Sequence, residues 1–183
     1  MSSDPFPEHL DAIRLFARSG SVTAALPISR LQRFAEPLLD SDGDVAVDLL
    51  FGHDGEQRPL LSGSLHTAVR VICQRCMEPL ELEIDCELAL LVLSSEAEVQ
   101  ALQDEDAALD AVVMDPETGL DVLAVIEDEL LLSLPLVAVH EETDCSDAFN
   151  AYKRKREAED KEAEQAQNPF AVLAQLKRND DPH

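Results

Sequence analysis

A chain of 183 residues, 45% of them hydrophobic, is long enough for one sizeable core and short for two. No run approaches the roughly 18 consecutive apolar residues of a membrane span, and the N-terminus MSSDPFPEHLDAIRLF lacks the basic start and small-residue cleavage site of a signal peptide, so a cytoplasmic protein is expected. The formal net charge is −24, and 21 of the 38 acidic residues lie between Cys76 and Tyr152, a stretch with no Lys or Arg, which argues against nucleic-acid binding by that stretch.

The distribution of charge says more than its sum. Residues 1–75 carry 10 acidic and 7 basic side chains, and residues 153–183 carry 7 of each. The middle alone therefore supplies −21 of the −24. A field of that sign repels phosphate, attracts basic partners and speeds their encounter.

In chain order, Leu10, Ile13, Leu15 and Phe16 have helical spacing, and Ser19-Gly20 ends the pattern. Val22 to Leu26 reads as a short strand. Ser29 is placed to cap a helix over Arg30 to Ala35, limited by Pro37 and the turn Asp40-Ser41-Asp42-Gly43. The period then changes to two. Val45, Val47, Leu49 and Phe51 form one alternating strand, His53-Asp54-Gly55 a turn, and Leu65, Thr67, Val69 and Val71 a second strand. In the third, Leu80, Leu82, Ile84, Cys86, Leu88, Leu90 and Val92 alternate with Glu81, Glu83, Asp85 and Glu87, giving one apolar and one acidic face. Ser94 to Ala108 reads as an acidic loop with a helical turn, and Leu109 to Met114 as a further short strand.

After the turn Asp115-Pro116-Glu117-Thr118-Gly119, Asp121 caps a helix that buries Leu123, Ile126, Leu130 and Leu134, with Glu127 and Asp128 off that face. Pro135 closes it, and Leu136 to Val139 emerges extended. Tyr152 to Gln167 is highly charged with no apolar stripe, a solvated helix or a linker. Near the end, Asn168 caps, Pro169 suits the first helical position, and Phe170, Leu173 and Leu176 line one side. This short amphipathic helix either folds back onto the domain or docks on another surface.

The expected class is α+β: an antiparallel meander of three to five strands, with a barrel-like closure as one form, packed with two or three helices. The expected division is a core domain over residues 1–149 and a charged linker with a docking segment over residues 150–183.

Cys73-Gln74-Arg75-Cys76 falls at the junction of two predicted strands, where a tight bend can aim two sulfurs at one point. That is half of a structural zinc site, and His140 with Cys145 offers the other half: Cys3His is a set that zinc accepts. Two other readings stand beside it. The cysteines can be small core residues or free thiols, as Cys86 on its apolar strand face is, or Cys73 and Cys76 can be a redox pair with a thiol pKa lowered by Arg75. His9, His53, His66 and His183 have no arrangement around them that suggests a site. Gly-rich phosphate loops, G-x-S-x-G, HExxH and EF-hand patterns do not occur, so no catalytic residue is assigned.

The segments Cys73-Gln-Arg-Cys76-Met-Glu-Pro-Leu80, Asp121-Val-Leu-Ala-Val-Ile-Glu-Asp-Glu-Leu-Leu-Leu-Ser-Leu-Pro-Leu-Val-Ala-Val-His140, Cys145 and Asn168-Pro-Phe-Ala-Val-Leu-Ala-Gln-Leu-Lys177 together resemble the YceD family, from roughly residue 20 to residue 178. The resemblance implies a role in the synthesis, processing or stability of 23S ribosomal RNA, hence in ribosome biogenesis, with no catalytic activity. A gene for a small basic large-subunit protein often neighbours family members, so the implied partner is a basic ribosomal protein or a pre-50S particle. Family members differ in their metal-binding residues. A second His can precede the last Cys where this chain has Asp144, which leaves four ligands and no spare.

Two other functions compete. Direct rRNA binding would use Lys153 to Arg156, Lys177, Arg178 and the N-terminal arginines, and a zinc-dependent hydrolase would need an open coordination position that three thiolates and an imidazole do not leave.

Overall fold

The structure is a computed structural model that describes residues 4–8, 10–105, 110–141 and 145–167. These fall into two compact units: Met1–Ile72 with Pro79–Ala138, and Cys73–Glu78 with Val139–His183. The predicted amphipathic helix at Asn168 to Lys177 lies outside the described residues, as do His9, His183 and Asp144.

The first unit is built on a five-stranded sheet in the order β1 (Ser21–Pro27), β2 (Asp44–His53), β3 (Pro59–Ile72), β4 (Pro79–Leu93) and β5 (Ala111–Val113). The first four strands pair antiparallel, and β5 joins β4 in parallel. The alternating patterns land as the period of two requires. Val45, Val47, Leu49 and Phe51 are buried on one face of β2, opposite Leu61, Leu65, Val69 and Val71 of β3 and Ile84, Cys86, Leu88, Leu90 and Val92 of β4. Thr67 shares this buried face because its hydroxyl donates to the Asp44 carbonyl at 3.1 Å.

Three helices cover that face. α1 (Ala12–Ala17) buries Leu15 and Phe16, whose ring meets Phe51 edge-on at 5.1 Å between centroids. α2 (Gln32–Ala35) inserts Phe34, which is fully buried, and α4 (Val122–Ser133) contributes Val122, Val125, Ile126 and Leu130. Each of these fully buried large side chains stabilises the fold by ~1.5–3 kcal/mol relative to exposure.

Several expectations are corrected by the tertiary structure. The sheet does not close into a barrel: β1 and β5 lie at opposite ends of the strand order, β5 has three residues, and Asp4 to Phe6 lies along β1 through a parallel bridge of Pro5 to Ala25. β3 begins at Pro59, well before Leu65. Gly63 interrupts the apolar alternation there because a Cβ at its φ of 156° would stand 2.0 Å from the Asp48 carbonyl oxygen. Ser29 caps nothing; it lies inside a 3-10 turn, Ile28–Arg30, that precedes α2.

The acidic stretch after β4 is not a loop but the ten-residue helix α3 (Glu96–Glu105). Ser95 Oγ accepts from the Glu98 N–H at 3.4 Å while the Glu98 carboxylate takes the Ser94 N–H at 3.0 Å, a capping pattern written in Ser94-Ser95-Glu96-Ala97-Glu98. The predicted cap Asp121 does hold α4, accepting from the Ala124 N–H at 3.0 Å. Glu127, however, points inward and is 9% exposed, whereas Leu123 and Leu134 are only half-buried. The Glu127 carboxylate accepts from the N–H groups of Arg33 at 2.5 Å and Phe34 at 3.1 Å, so it supplies from α4 the acceptors that the start of α2 lacks locally. Arg33 adds an ion pair to Glu127 at 2.8 Å and another to Asp128 at 2.7 Å.

In the second unit, the Tyr152 to Gln167 stretch belongs to a helix, α5 (Asp147–Gln167). Ser146 Oγ accepts from the Phe149 N–H at 3.4 Å and caps it. Among the described residues, no helix is long and apolar enough to cross a membrane.

Candidate metal centre

The residues Cys73 to Glu78 connect β3 to β4 as a tight knuckle. The Met77 N–H donates to the Cys73 carbonyl at 2.9 Å and the Cys73 N–H to the Glu78 carbonyl at 2.9 Å, with Met77 in the left-handed region at φ 62°. This bend brings the sulfurs of Cys73 and Cys76 to the same side. The second pair arrives from the segment between α4 and α5. The His140 N–H donates to Cys73 Sγ at 3.4 Å, and His140 Nδ1 is 3.3 Å from Cys76 Sγ. Cys145 immediately precedes the Ser146 cap of α5, where the Asn150 side-chain amide donates to its carbonyl at 2.8 Å.

Cys73, Cys76, His140 and Cys145 thus meet in one place. Their three sulfurs and one imidazole nitrogen lie within 4.8 Å of one another, and Cys73 and Cys145 are buried. Ligands at ~2.0–2.3 Å around a tetrahedral zinc stand about 3.4–3.8 Å from each other. The cluster could hold such an ion with small adjustments of side-chain rotamers. Cys86, expected as a core residue, is separate from this group and buried on the inner face of β4.

The three thiols differ in their surroundings. Burial raises the Cys73 thiol, but the N–H groups of Cys76, His140 and Arg75 outweigh it and bring the pKa down to about 6. Cys76 is lowered by the Ser146 N–H against a smaller desolvation cost. Cys145 moves the other way, pushed up by burial and by the two neighbouring sulfurs. The Arg75 guanidinium stands 3.9 Å from Cys145 Sγ. The redox reading of Cys73 and Cys76 wants the first sulfur at a helix N-terminus, and here it is in a turn between strands.

The anchoring roles of Asn150 and of the Ser146 cap were not anticipated from sequence, although Ser146 followed by an acidic helical start is a local signal for a cap. His66 also has a neighbour that adjacency in sequence does not show. It sits opposite Asp85 in the β3–β4 register, with Nδ1 2.6 Å from the carboxylate, and both side chains are exposed.

That pair belongs to the open face of the sheet. Asp48, Ser64 and Glu87 form one cross-strand row there, Ala46, His66 and Asp85 the next, and Ala68 with Glu83 and Arg70 with Glu81 follow. Arg70 is paired with Asp40. Arg70 and His66 are therefore both engaged with carboxylates, and the remaining carboxylates leave the face acidic.

Residues 61–177 match the family described as "Large ribosomal RNA subunit accumulation protein YceD". A curated relative from Haemophilus influenzae, carrying the same description, is 28% identical over 178 residues, which cover 97% of this chain and 99% of the relative. No solved structure matches the chain.

Proposed function

The chain belongs to the YceD family of large ribosomal RNA subunit accumulation proteins, and from that premise we propose that it is a non-enzymatic cytoplasmic factor needed for 23S rRNA to accumulate. It acts by holding a basic large-subunit ribosomal protein, alone or in a pre-50S particle. The observation that carries this reading is the cation-free stretch from Cys76 to Tyr152, whose β4 carboxylates line the open face of the sheet. Such a surface repels RNA phosphate and favours a partner rich in Lys and Arg. Direct rRNA binding through the tail is less well supported. Along α5, Lys153 and Lys155 stand 3.9 Å from Glu157 and Glu159 at helical i,i+4 spacing, so part of the basic charge is already offset.

The same reading assigns zinc to Cys73, Cys76, His140 and Cys145 as a structural ion. Three thiolates and an imidazole satisfy its four positions and leave none for a reacting water, which favours an organising role over hydrolysis.

The test is capture, on the immobilised full chain, of total protein extracted from purified 50S subunits, at low and physiological salt. Recovery of one or a few identified basic large-subunit proteins, released as salt rises, is the expected result. Recovery of none, together with filter binding of 23S rRNA that disappears when residues 150–183 are removed, would replace this reading with direct RNA binding.

A further inference from the structure

The acidic sheet face, on which Leu50 is 50% exposed, attracts a basic protein by its charge. A second candidate contact lies elsewhere in the first unit. A groove of about 490 Å³ runs between the N-terminal arm with α1 and the turn leading into α4. Phe6, Leu10 and Ile13 form one side of its apolar lining, and Leu120, Val122 and Leu123 the other.

Both walls are built rather than incidental. The Arg30 guanidinium donates to the carbonyls of Phe6 at 3.0 Å and Pro7 at 3.4 Å and stacks over the Phe6 ring at 5.6 Å, while Asp4 to Phe6 is pinned along β1. Opposite, Asp115 Oδ1 accepts from the N–H groups of Glu117 and Thr118, both at 2.8 Å, and Gly119 takes φ 81°, which fixes the turn. Ile13 at the lip is 46% exposed, a large aliphatic side chain that the fold leaves uncovered.

The charge of the lining is one-sided: Glu8, Asp11, Glu117 and Asp121 contribute carboxylates, and among the described residues no Lys or Arg lines the groove. One oxygen of Asp11 and one of Asp121 are used as helix caps. The side chains of Glu8 and Glu117 make no hydrogen bond or ion pair among the described residues. Apolar side chains beside a rim that is anionic among the described residues complement one ligand chemistry: an apolar side chain flanked by Lys or Arg.

We infer that this groove seats a basic segment of the protein partner, with one apolar side chain against Leu10, Ile13 and Leu123 and its flanking cations on Glu8 and Glu117. The inference rests on the protein-binding reading above and adds to it the place and the chemistry of contact. The sheet face then steers the partner, and the groove holds it.

The test uses the full chain, the same 50S protein extract, and two charge-reversal pairs: Glu8→Lys with Glu117→Lys in the groove, and Glu83→Lys with Glu87→Lys on the sheet. Thermal melts confirm that both pairs fold, and a photo-crosslinking residue is placed at Ile13 in a further variant. The expected result is a loss of affinity of at least tenfold for the groove pair, a smaller loss for the sheet pair, and a crosslink from position 13 to the captured protein. If the wild type captures a basic protein and the groove pair captures it equally well, the groove assignment is wrong while the protein-binding reading stands. A sheet pair that loses as much as the groove pair, or a crosslink confined to this chain's own residues 168–183, also overturns it. Capture of nothing by the wild type removes the protein-binding reading and the groove's occupant together.

Discussion

Glu127 sits in a run that reads Ile126-Glu127-Asp128-Glu129, and nothing local distinguishes the three acids. In the fold they have different surroundings. Glu127 is nearly buried because the N-cap of α2, Leu31, offers no capping side chain, and the first N–H groups of α2 find their acceptor on α4. Glu127→Ala should therefore cost about 2 kcal/mol, within the range for N–H donors to a charged acceptor that are left without it. Urea unfolding would show this as a lower midpoint with an unchanged slope, and a loss below about 0.5 kcal/mol would mean that the remote cap contributes little. Glu129 is the opposite case. Partial burial, then the charges of Asp110 and Asp128, raise its pKa above the ordinary carboxylate value. Because its folded pKa exceeds the unfolded one, ionisation costs stability at neutral pH, and that cost disappears as pH falls. Glu129→Gln should melt higher than the wild type at pH 7, with the difference vanishing below about pH 4, where both states are protonated. A lower melting temperature at pH 7 would show that the carboxylate is needed.

Elements were legible where their signal was periodic. The alternation in β2 and β4 specified which side chains face the core, and Asp121 marked the start of α4. The misses have local causes. α3 was obscured by its acidity, although its capping serines were present in the sequence, and the first half of β3 was obscured by Gly63. The candidate metal centre is assembled from two such elements, the knuckle of Cys73 to Cys76 and the segment from His140 to the cap of α5. A metal that bridges them closes a loop of more than sixty residues between Cys76 and His140, so its free energy of binding is also free energy of folding. Purified untagged protein should contain one zinc per chain. Cys76→Ser and His140→Ala should each lose it and melt several degrees lower. Zinc-free protein with unchanged melting in both variants would leave the four residues as an ordinary cluster of thiols and imidazole.

For the molecule as a whole, charge is the property with the longest reach. Attraction between an acidic surface and a basic protein is screened over a Debye length of about 10 Å at 0.1 M salt. The association rate with the basic protein proposed as partner should therefore fall steeply between low and physiological salt, while the dissociation rate changes less. Stopped-flow measurements with equal salt dependence in both rates would argue against electrostatic steering. The sequence by itself determined the charge segregation, the α+β class, the strand faces and the four candidate ligands, because each is a matter of composition, period or spacing along the chain. Only the tertiary structure decided that the sheet stays open, that Glu127 is a buried cap, that His66 and Arg70 are already paired, and that an apolar groove with a carboxylate rim forms between residues about a hundred positions apart. These depend on which elements meet in space, and the energy of those meetings comes from side chains whose partners are distant in sequence.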